Sequence, residues 1–112
     1  MRRYEVVVSR LAEADIDQIV DYFISIDKEY AIKFYQNIRD HIEELCSFPK
    51  RGPIVPELDK KGIRDFHQLI EGNYRIIYSI HPKSVHILAV IDSRRNLEEI
   101  LTDKIVDFLG DE

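Results

Sequence analysis

The sequence is poor in sulfur and has no long apolar run, no internal repeat and no low-complexity tract. Its one cysteine, Cys46, cannot form an internal disulfide, which fits a reducing compartment. No apolar stretch approaches the roughly 18–20 residues that cross a bilayer, so no membrane association is expected. Residues 4–8 are apolar over only about one strand's length. They lack the longer apolar region and small-residue cleavage site of a secretory leader. These absences lead to the expectation of a cytoplasmic protein. A length of 112 residues fits one domain, and an apolar fraction of 45% is enough for one core and argues against wholesale disorder.

A net charge of −5 argues against a generic polyanion binder, because phosphate contacts need Lys and Arg. The charge is unevenly spread. Residues 1–49 carry 6 basic and 10 acidic side chains, residues 50–95 carry 9 and 5, and residues 96–112 carry 1 and 6. A basic segment between two acidic ones implies a polar surface with one cationic face.

The apolar pattern predicts the element order. Residues 4–8 read as a strand buried on both faces. Ser9 can cap a helix over residues 10–25, whose stripe is Ala12, Ile16, Ile19, Val20 and Phe23. After a polar break at 25–28, Ala31, Phe34, Ile38, Ile42 and Leu45 mark a second helix ended by Pro49. The two should form an antiparallel hairpin. Residues 49–62 read as a loop, 63–70 as a strand, Gly72-Asn73 as a turn, 74–81 as a strand and 82–84 as a second turn. Residues 85–91 are almost wholly apolar, which predicts the central strand. Asn96 with Glu99 is a capping-box pattern, and Leu97, Ile100, Leu101, Ile105 and Phe108 predict a terminal helix over 96–110. The result is a single α+β domain over 1–112 of order β-α-α-β-β-β-α, with a helical hairpin on a small mixed, mostly antiparallel sheet.

Several short motifs then fall into a recognisable series. Ser47-Phe48-Pro49-Lys50-Arg51-Gly52 resembles the FPxxG punctuation of ParE-like toxins, and Pro56-Glu57-Leu58 and Gly62-Ile63-Arg64 continue it. Tyr74-Arg75-Ile76-Ile77-Tyr78 resembles the YRIIY strand of the RelE/ParE superfamily, and residues 85–95 its last strand with the closing arginine pair. The resemblance runs over about residues 4–101 and implies the toxin half of a type II toxin–antitoxin (plasmid stabilisation) module. RelE-like members of the superfamily cut messenger RNA in the ribosome, whereas ParE-like members poison DNA gyrase. Both are silenced by an antitoxin segment wrapped over the toxin. A cognate antitoxin, a toxin–antitoxin hetero-oligomer and a gyrase or ribosome target are therefore the partners implied, with growth inhibition the outcome.

RNA cleavage of this kind needs a base, a cation for the phosphate and an acid. By resemblance, Arg75 and Arg94 stand where RelE-like toxins carry arginines, and His67 is a candidate base. Three positions depart from the nuclease pattern. Residues 64–69 lack a lysine pair, Ile100 falls near a tyrosine position, and Asp92 stands where many relatives have histidine. A two-residue hairpin loop at Lys83-Ser84 would put Arg75 opposite Asp92, making a structural ion pair of them. Arg64, Arg94 and Arg95 are the candidate contacts for an acidic partner segment. Lys50, Arg51, Lys60 and Lys61 read as solvated loop charges. The same register pairs His81 with His86, but two ligands without a third do not make a metal site, and no cofactor is expected. His41 reads as half-exposed, Cys46 as an inert core residue, and Tyr74 and Tyr78 as core aromatics. The favoured function is a ParE-like inhibitor that binds a protein. The alternatives are a ribosome-dependent endoribonuclease and an inactive homologue that only binds its antitoxin.

Overall fold

The computed structural model describes residues 3–95 and 99–100. Strand β1 (Glu5–Val8) leads into helices α1 (Arg10–Ile26) and α2 (Lys28–Ser47). A 3-10 turn at Pro49–Arg51 and a short helix α3 (Pro56–Asp59) follow, within the stretch expected to be a plain loop. Strands β2 (Phe66–Glu71), β3 (Tyr74–Ile80) and β4 (Ser84–Asp92) complete the sheet. The expected terminal helix over 96–110 lies, apart from Glu99 and Ile100, outside the described residues.

The helix starts are set by side chains. The Ser9 hydroxyl accepts from the Ala12 amide at 3.1 Å, and Asp27 accepts from the Tyr30 amide at 3.2 Å. Asp27 also closes α1, its own amide donating to the Phe23 carbonyl at 2.6 Å. One residue therefore serves both helices, which makes the hairpin joint shorter than the polar break at 25–28 suggests.

The sheet order is β1-β4-β3-β2, with β1 parallel to β4 and the other pairs antiparallel. The continuous apolar run of β4 takes the inner position expected of it. Strand β1 does not match its expectation: it is an edge strand with alternate exposed positions, and Val7 is 37% exposed. A run of four apolar residues looks the same at an edge as inside a sheet, so composition alone misjudged its burial.

Each face of the sheet has its own core. Ala12, Ile16, Phe34, Ile38 and Leu45 of the hairpin pack on Leu69, Ile76, Tyr78, Val85, Ile87 and Val90. On the opposite face Val55 and Leu58 cover Ile77, Leu88, Ala89 and Ile91, with Ile63, Phe66 and Ile100 packed at the margin. Two neighbours in sequence, Leu88 and Ala89, both serve this second core. They can do so because the β3–β4 register jumps: Tyr78 faces Ile87 while Ile77 faces Ala89, so Leu88 is a bulge residue.

The bulge and the turn together correct the expected register. Ile80 pairs with Val85 and the His81 amide donates to the Ser84 carbonyl at 2.7 Å, so the two-residue turn is Pro82-Lys83, one position earlier than the expected Lys83-Ser84. The bulge recovers one position of that offset. Asp92 therefore faces Tyr74, and Arg75 faces Ile91.

Parallel pairing of β1 with β4 stops at Ile87, leaving the last part of β4 with an open edge. Helix α1 closes it with side chains. The Ser9 hydroxyl donates to the Leu88 carbonyl at 3.2 Å, and the Asp15 carboxylate accepts from the Val90 amide at 3.0 Å. Asp15 looks in sequence like one more surface acid of an amphipathic helix; here it stands in for a missing strand.

Candidate functional site

The loop after α2 is tied to the sheet by the motif residues themselves. Pro49 is buried and starts the 3-10 turn, and its carbonyl accepts from the Tyr78 hydroxyl at 2.7 Å. The Gly52 amide donates to the same hydroxyl at 3.1 Å. Burial pushes the Tyr78 hydroxyl pKa upward, and the Gly52 amide only partly opposes it. A Cβ at Gly52 would lie 2.2 Å from the Gln68 carbonyl oxygen, so only glycine lets the loop approach β2 this closely. The Val55 amide then donates to the Phe66 carbonyl, and the Gln68 amide to the Pro53 carbonyl, both at 2.9 Å. The Pro49–Gly52 punctuation and the Tyr78 that ends the YRIIY strand are thus two halves of one clamp.

His67 belongs to that clamp. Its Nδ1 lies 2.8 Å from the Gly52 carbonyl, and its ring stacks on Tyr78 at 5.5 Å. A carbonyl only accepts, so Nδ1 carries the proton. Strand alternation puts His67 with Tyr78 on the hairpin face and Arg75 on the other.

Arg75 is not paired with Asp92, contrary to the register expected from a loop at Lys83-Ser84. Its guanidinium donates to Glu57 Oε1 at 2.9 Å and to Gln68 Oε1 at 3.0 Å, and its side chain is 17% exposed. Burial pushes the Glu57 carboxyl up, but the Arg75 hydrogen bond, a backbone hydrogen bond and the Arg75 charge outweigh it and hold Glu57 below its ordinary pKa. Asp92 is taken by Arg94, two residues further on. The Arg94 guanidinium grips both carboxylate oxygens at 3.0 and 2.7 Å, and the Arg94 amide adds a third bond at 2.9 Å. The Arg94 side chain first, then its amide, hold Asp92 down at a pKa of about 2.

The remaining candidates are scattered. Arg64 precedes the end of β2 that pairs with Ser79, and it reaches Asp59 at 3.6 Å. Arg94 and Arg95 follow the end of β4 that pairs with Tyr74. The three arginines therefore sit at opposite ends of the sheet and do not make one patch. Arg95 borders a cleft with Asp15, Tyr74 and Asp92. Arg75, Arg94 and His67 do not converge on any one place where a scissile phosphate could lie between a base and a cation.

The other titratable groups are used for packing. His41 Nε2 meets Glu71 at 3.0 Å beside Asn37, which donates to the same carboxylate at 3.0 Å, so α2 is fastened to the end of β2. Arg51, expected to be a free loop charge, pairs with Glu44 at 3.1 Å. The His81 and His86 rings touch at 4.4 Å, each beside a serine hydroxyl at 3.0 Å. No third His, Cys, Asp or Glu joins them among the described residues. Cys46 is half-buried at the margin of the α2 stripe, with its thiol 3.5 Å from the Ile42 carbonyl. Among the described residues no helix is long and apolar enough to cross a membrane.

A helical hairpin on a β1-β4-β3-β2 sheet, with a proline-glycine loop clamped over β2, defines a RelE/ParE-type toxin fold. The chain belongs to the family of ParE toxins of type II toxin–antitoxin systems, whose model matches residues 6–97. It is similar in structure to a chain of the chromosomal ParDE toxin–antitoxin system of P. aeruginosa, with a TM-score of 0.65 and 22% identity. That match covers 80% of this chain and 96% of the other. It is also similar to a chain of the RelBE2 toxin–antitoxin complex of Mycobacterium tuberculosis, with a TM-score of 0.54 and 21% identity, covering 82% of this chain and 93% of that one. No curated protein matches the chain in sequence.

Two features of the site escaped sequence reading. Glu57 sits in a stretch without periodicity, so nothing local announces that it will cross over Arg75. Gln68 is a polar residue on a strand whose facing is fixed only once the register is known.

Proposed function

We propose that the chain is the toxin of a two-component module, that it works by binding and inhibiting a protein target such as DNA gyrase, and that a cognate antitoxin silences it. The observation that carries this reading is the state of the two arginines a nuclease would need. Arg75 is held by Glu57 and Gln68, and Arg94 by Asp92, while His67 is spent on the Gly52 carbonyl of the opposite face. A cation already neutralised by its own carboxylate gives little to a phosphate. The family match and the two toxin–antitoxin neighbours support the toxin reading and an antitoxin partner.

The test is to express the chain without an antitoxin and follow growth, gyrase supercoiling and messenger-RNA ends together. Growth arrest with lost supercoiling and intact message is the expected result. Message cleavage that vanishes in a folded Arg75→Ala variant would make the chain a ribosome-dependent nuclease. Unimpeded growth with both readouts normal would make it an inactive homologue.

A further inference from the structure

The turn between β3 and β4 brings together four polar side chains that the toxin reading does not use. Ser79-Ile80-His81 and Ser84-Val85-His86 are the same serine-x-histidine pattern, once on each side of the turn. Ser79 pairs with His86 in register, and His81 is joined to Ser84 across Pro82-Lys83, its amide donating to the Ser84 carbonyl at 2.7 Å. Tyr78, Ile80, Val85 and Ile87 pack towards the hairpin, so strand alternation turns all four polar side chains to the other face of the sheet. They form a square with the two histidines on one diagonal. The histidine rings lie 4.4 Å apart, centre to centre, and each Nε2 is 3.0 Å from the hydroxyl of the serine two residues before it. His81 is exposed, Ser84 and His86 are half-buried, and Ser79 is buried. Glu5, the β1 partner of Ser84, brings a carboxylate to the same face, against Lys83 in the turn.

We propose that this square binds a divalent late transition metal of planar preference, copper(II) or nickel(II), held by His81 and His86 with water at its remaining positions. A serine hydroxyl can accept the Nε2 proton as well as give its own, and in the first arrangement Nδ1 holds the lone pair that a metal takes. The two serines then do what the outer partners of metal-bound histidines do: they fix the tautomer and the ring orientation before the ion arrives. The spacing selects the metal. With metal–nitrogen bonds of about 2.0 Å, imidazole centres stand about 3.2 Å from the ion, so a right angle between ligands puts them about 4.5 Å apart and a tetrahedral angle about 5.2 Å. The observed 4.4 Å matches the right angle. Zinc, which takes four tetrahedral protein ligands in a structural site, finds only two imidazoles here and at the wrong angle. Copper(II) joins a planar preference to the highest intrinsic affinity of the divalent series, and solvent can complete its coordination. The bound ion staples β3 to β4 beside their turn, which makes the fold more stable in its presence.

The test titrates the purified full chain with copper(II) chloride and follows electron paramagnetic resonance and thermal melts. One copper per chain is expected, with hyperfine lines from two imidazole nitrogens. His81→Gln and His86→Gln should each leave one nitrogen and lower the affinity about tenfold or more. Ser84→Ala reaches the ion only through His86, so it should keep both nitrogens and still weaken binding about tenfold, the loss seen when an outer partner of a ligand is removed. Copper should raise the melting temperature of wild type and of neither histidine variant, while the three chains melt alike without metal. Nickel(II) chloride should show the same dependence on the two histidines, and zinc chloride should bind more weakly than copper. Two nitrogens that persist in both histidine variants would move the ion to His41 or His67 and overturn the site. Zinc binding as tightly as copper would overturn the planar assignment. A wild-type chain that takes up no copper overturns the proposal outright.

Discussion

The two charged regions of the molecule are built in opposite ways. Around the sheet, Arg64, Arg75 and Arg94 each meet a carboxylate of the same chain, at 3.6, 2.9 and 2.7 Å. On the hairpin, Glu13 and Asp17 border an apolar cleft and Asp40 a neighbouring hollow, with no such partner among the described residues. A half-buried ion pair resists removal of either member, because the survivor is left desolvated and unmatched. Exposed like charges behave the other way, and the fold should tolerate or even gain from their loss. Of the three pairs only Arg75–Glu57 is largely buried, so that pair helps hold its region together, while the hairpin keeps its charges in spite of the fold.

The largest effect should come from lifting the loop that brings Glu57 to Arg75. Gly52→Ala sets a methyl group 2.2 Å from a backbone oxygen of β2, and neither side can move without breaking the Tyr78 clamp. A loss of about 3 kcal/mol is expected in urea unfolding, at the upper end of overpacking costs. An unchanged midpoint would mean that the loop is loosely held and that the Glu57–Arg75 contact is incidental. Next in size, Glu57→Ala leaves the guanidinium of Arg75 with Gln68 alone. The expected cost is about 1–3 kcal/mol. Adding Arg75→Met to Glu57→Ala should recover part of it, because the stranded charge is then gone. If the double variant is worse than the single one, packing of the arginine stem outweighs its charge, and the contrast between the two regions loses its electrostatic basis.

Asp92 gives a smaller effect with a defined pH window. Its folded pKa of about 2 lies below the ordinary 3.8. A depressed carboxyl contributes stability that is fully present above about pH 4 and is lost as pH falls towards 2. Wild type should thus melt higher than Asp92→Asn at pH 7, and the two melting curves should converge between about pH 4 and pH 2. A gap that persists at pH 2 would show that Asp92 acts through shape and neutral hydrogen bonds, with its grip on Arg94 contributing nothing ionic.

What could be foreseen from the sequence follows from how far each signal reaches along the chain. The two hairpin helices, the Ser9 cap, the Gly72-Asn73 turn and the inner position of β4 are set by neighbours a few residues apart, and they were legible. The single-residue joint at Asp27 was nearly so. Register was not, because it depends on where the turn falls and on the Leu88 bulge, and together they moved Arg75 from Asp92 to Ile91. The partner of Arg75 was illegible for the same kind of reason: Glu57 is 18 residues away in a segment with no period. The motif residues were legible as a resemblance, but their physical purpose, a glycine and a proline carbonyl closing on one tyrosine hydroxyl, needed three dimensions.

The smallest expected effect has the opposite sign to the others. Glu13 and Asp17 are one turn apart on α1, a like-charge pair that costs a helix roughly 0.2–0.5 kcal/mol. Asp17→Lys removes that repulsion and leaves Glu13 four residues before a cation, the more favourable orientation of such a pair. The swing should stabilise the chain by about 0.5–1 kcal/mol at low ionic strength and by less in high salt. Thermal melts at two salt concentrations, with Asp17→Asn as the neutral reference, read it directly. The neutral variant should fall between wild type and the lysine variant. If Asp17→Lys proves destabilising, Asp17 has a structural partner after all, and the hairpin acids are no different in kind from Glu57 and Asp92. If it stabilises the fold as expected, the acid stands where folding alone would not keep it, and the contrast with Glu57 and Asp92 holds.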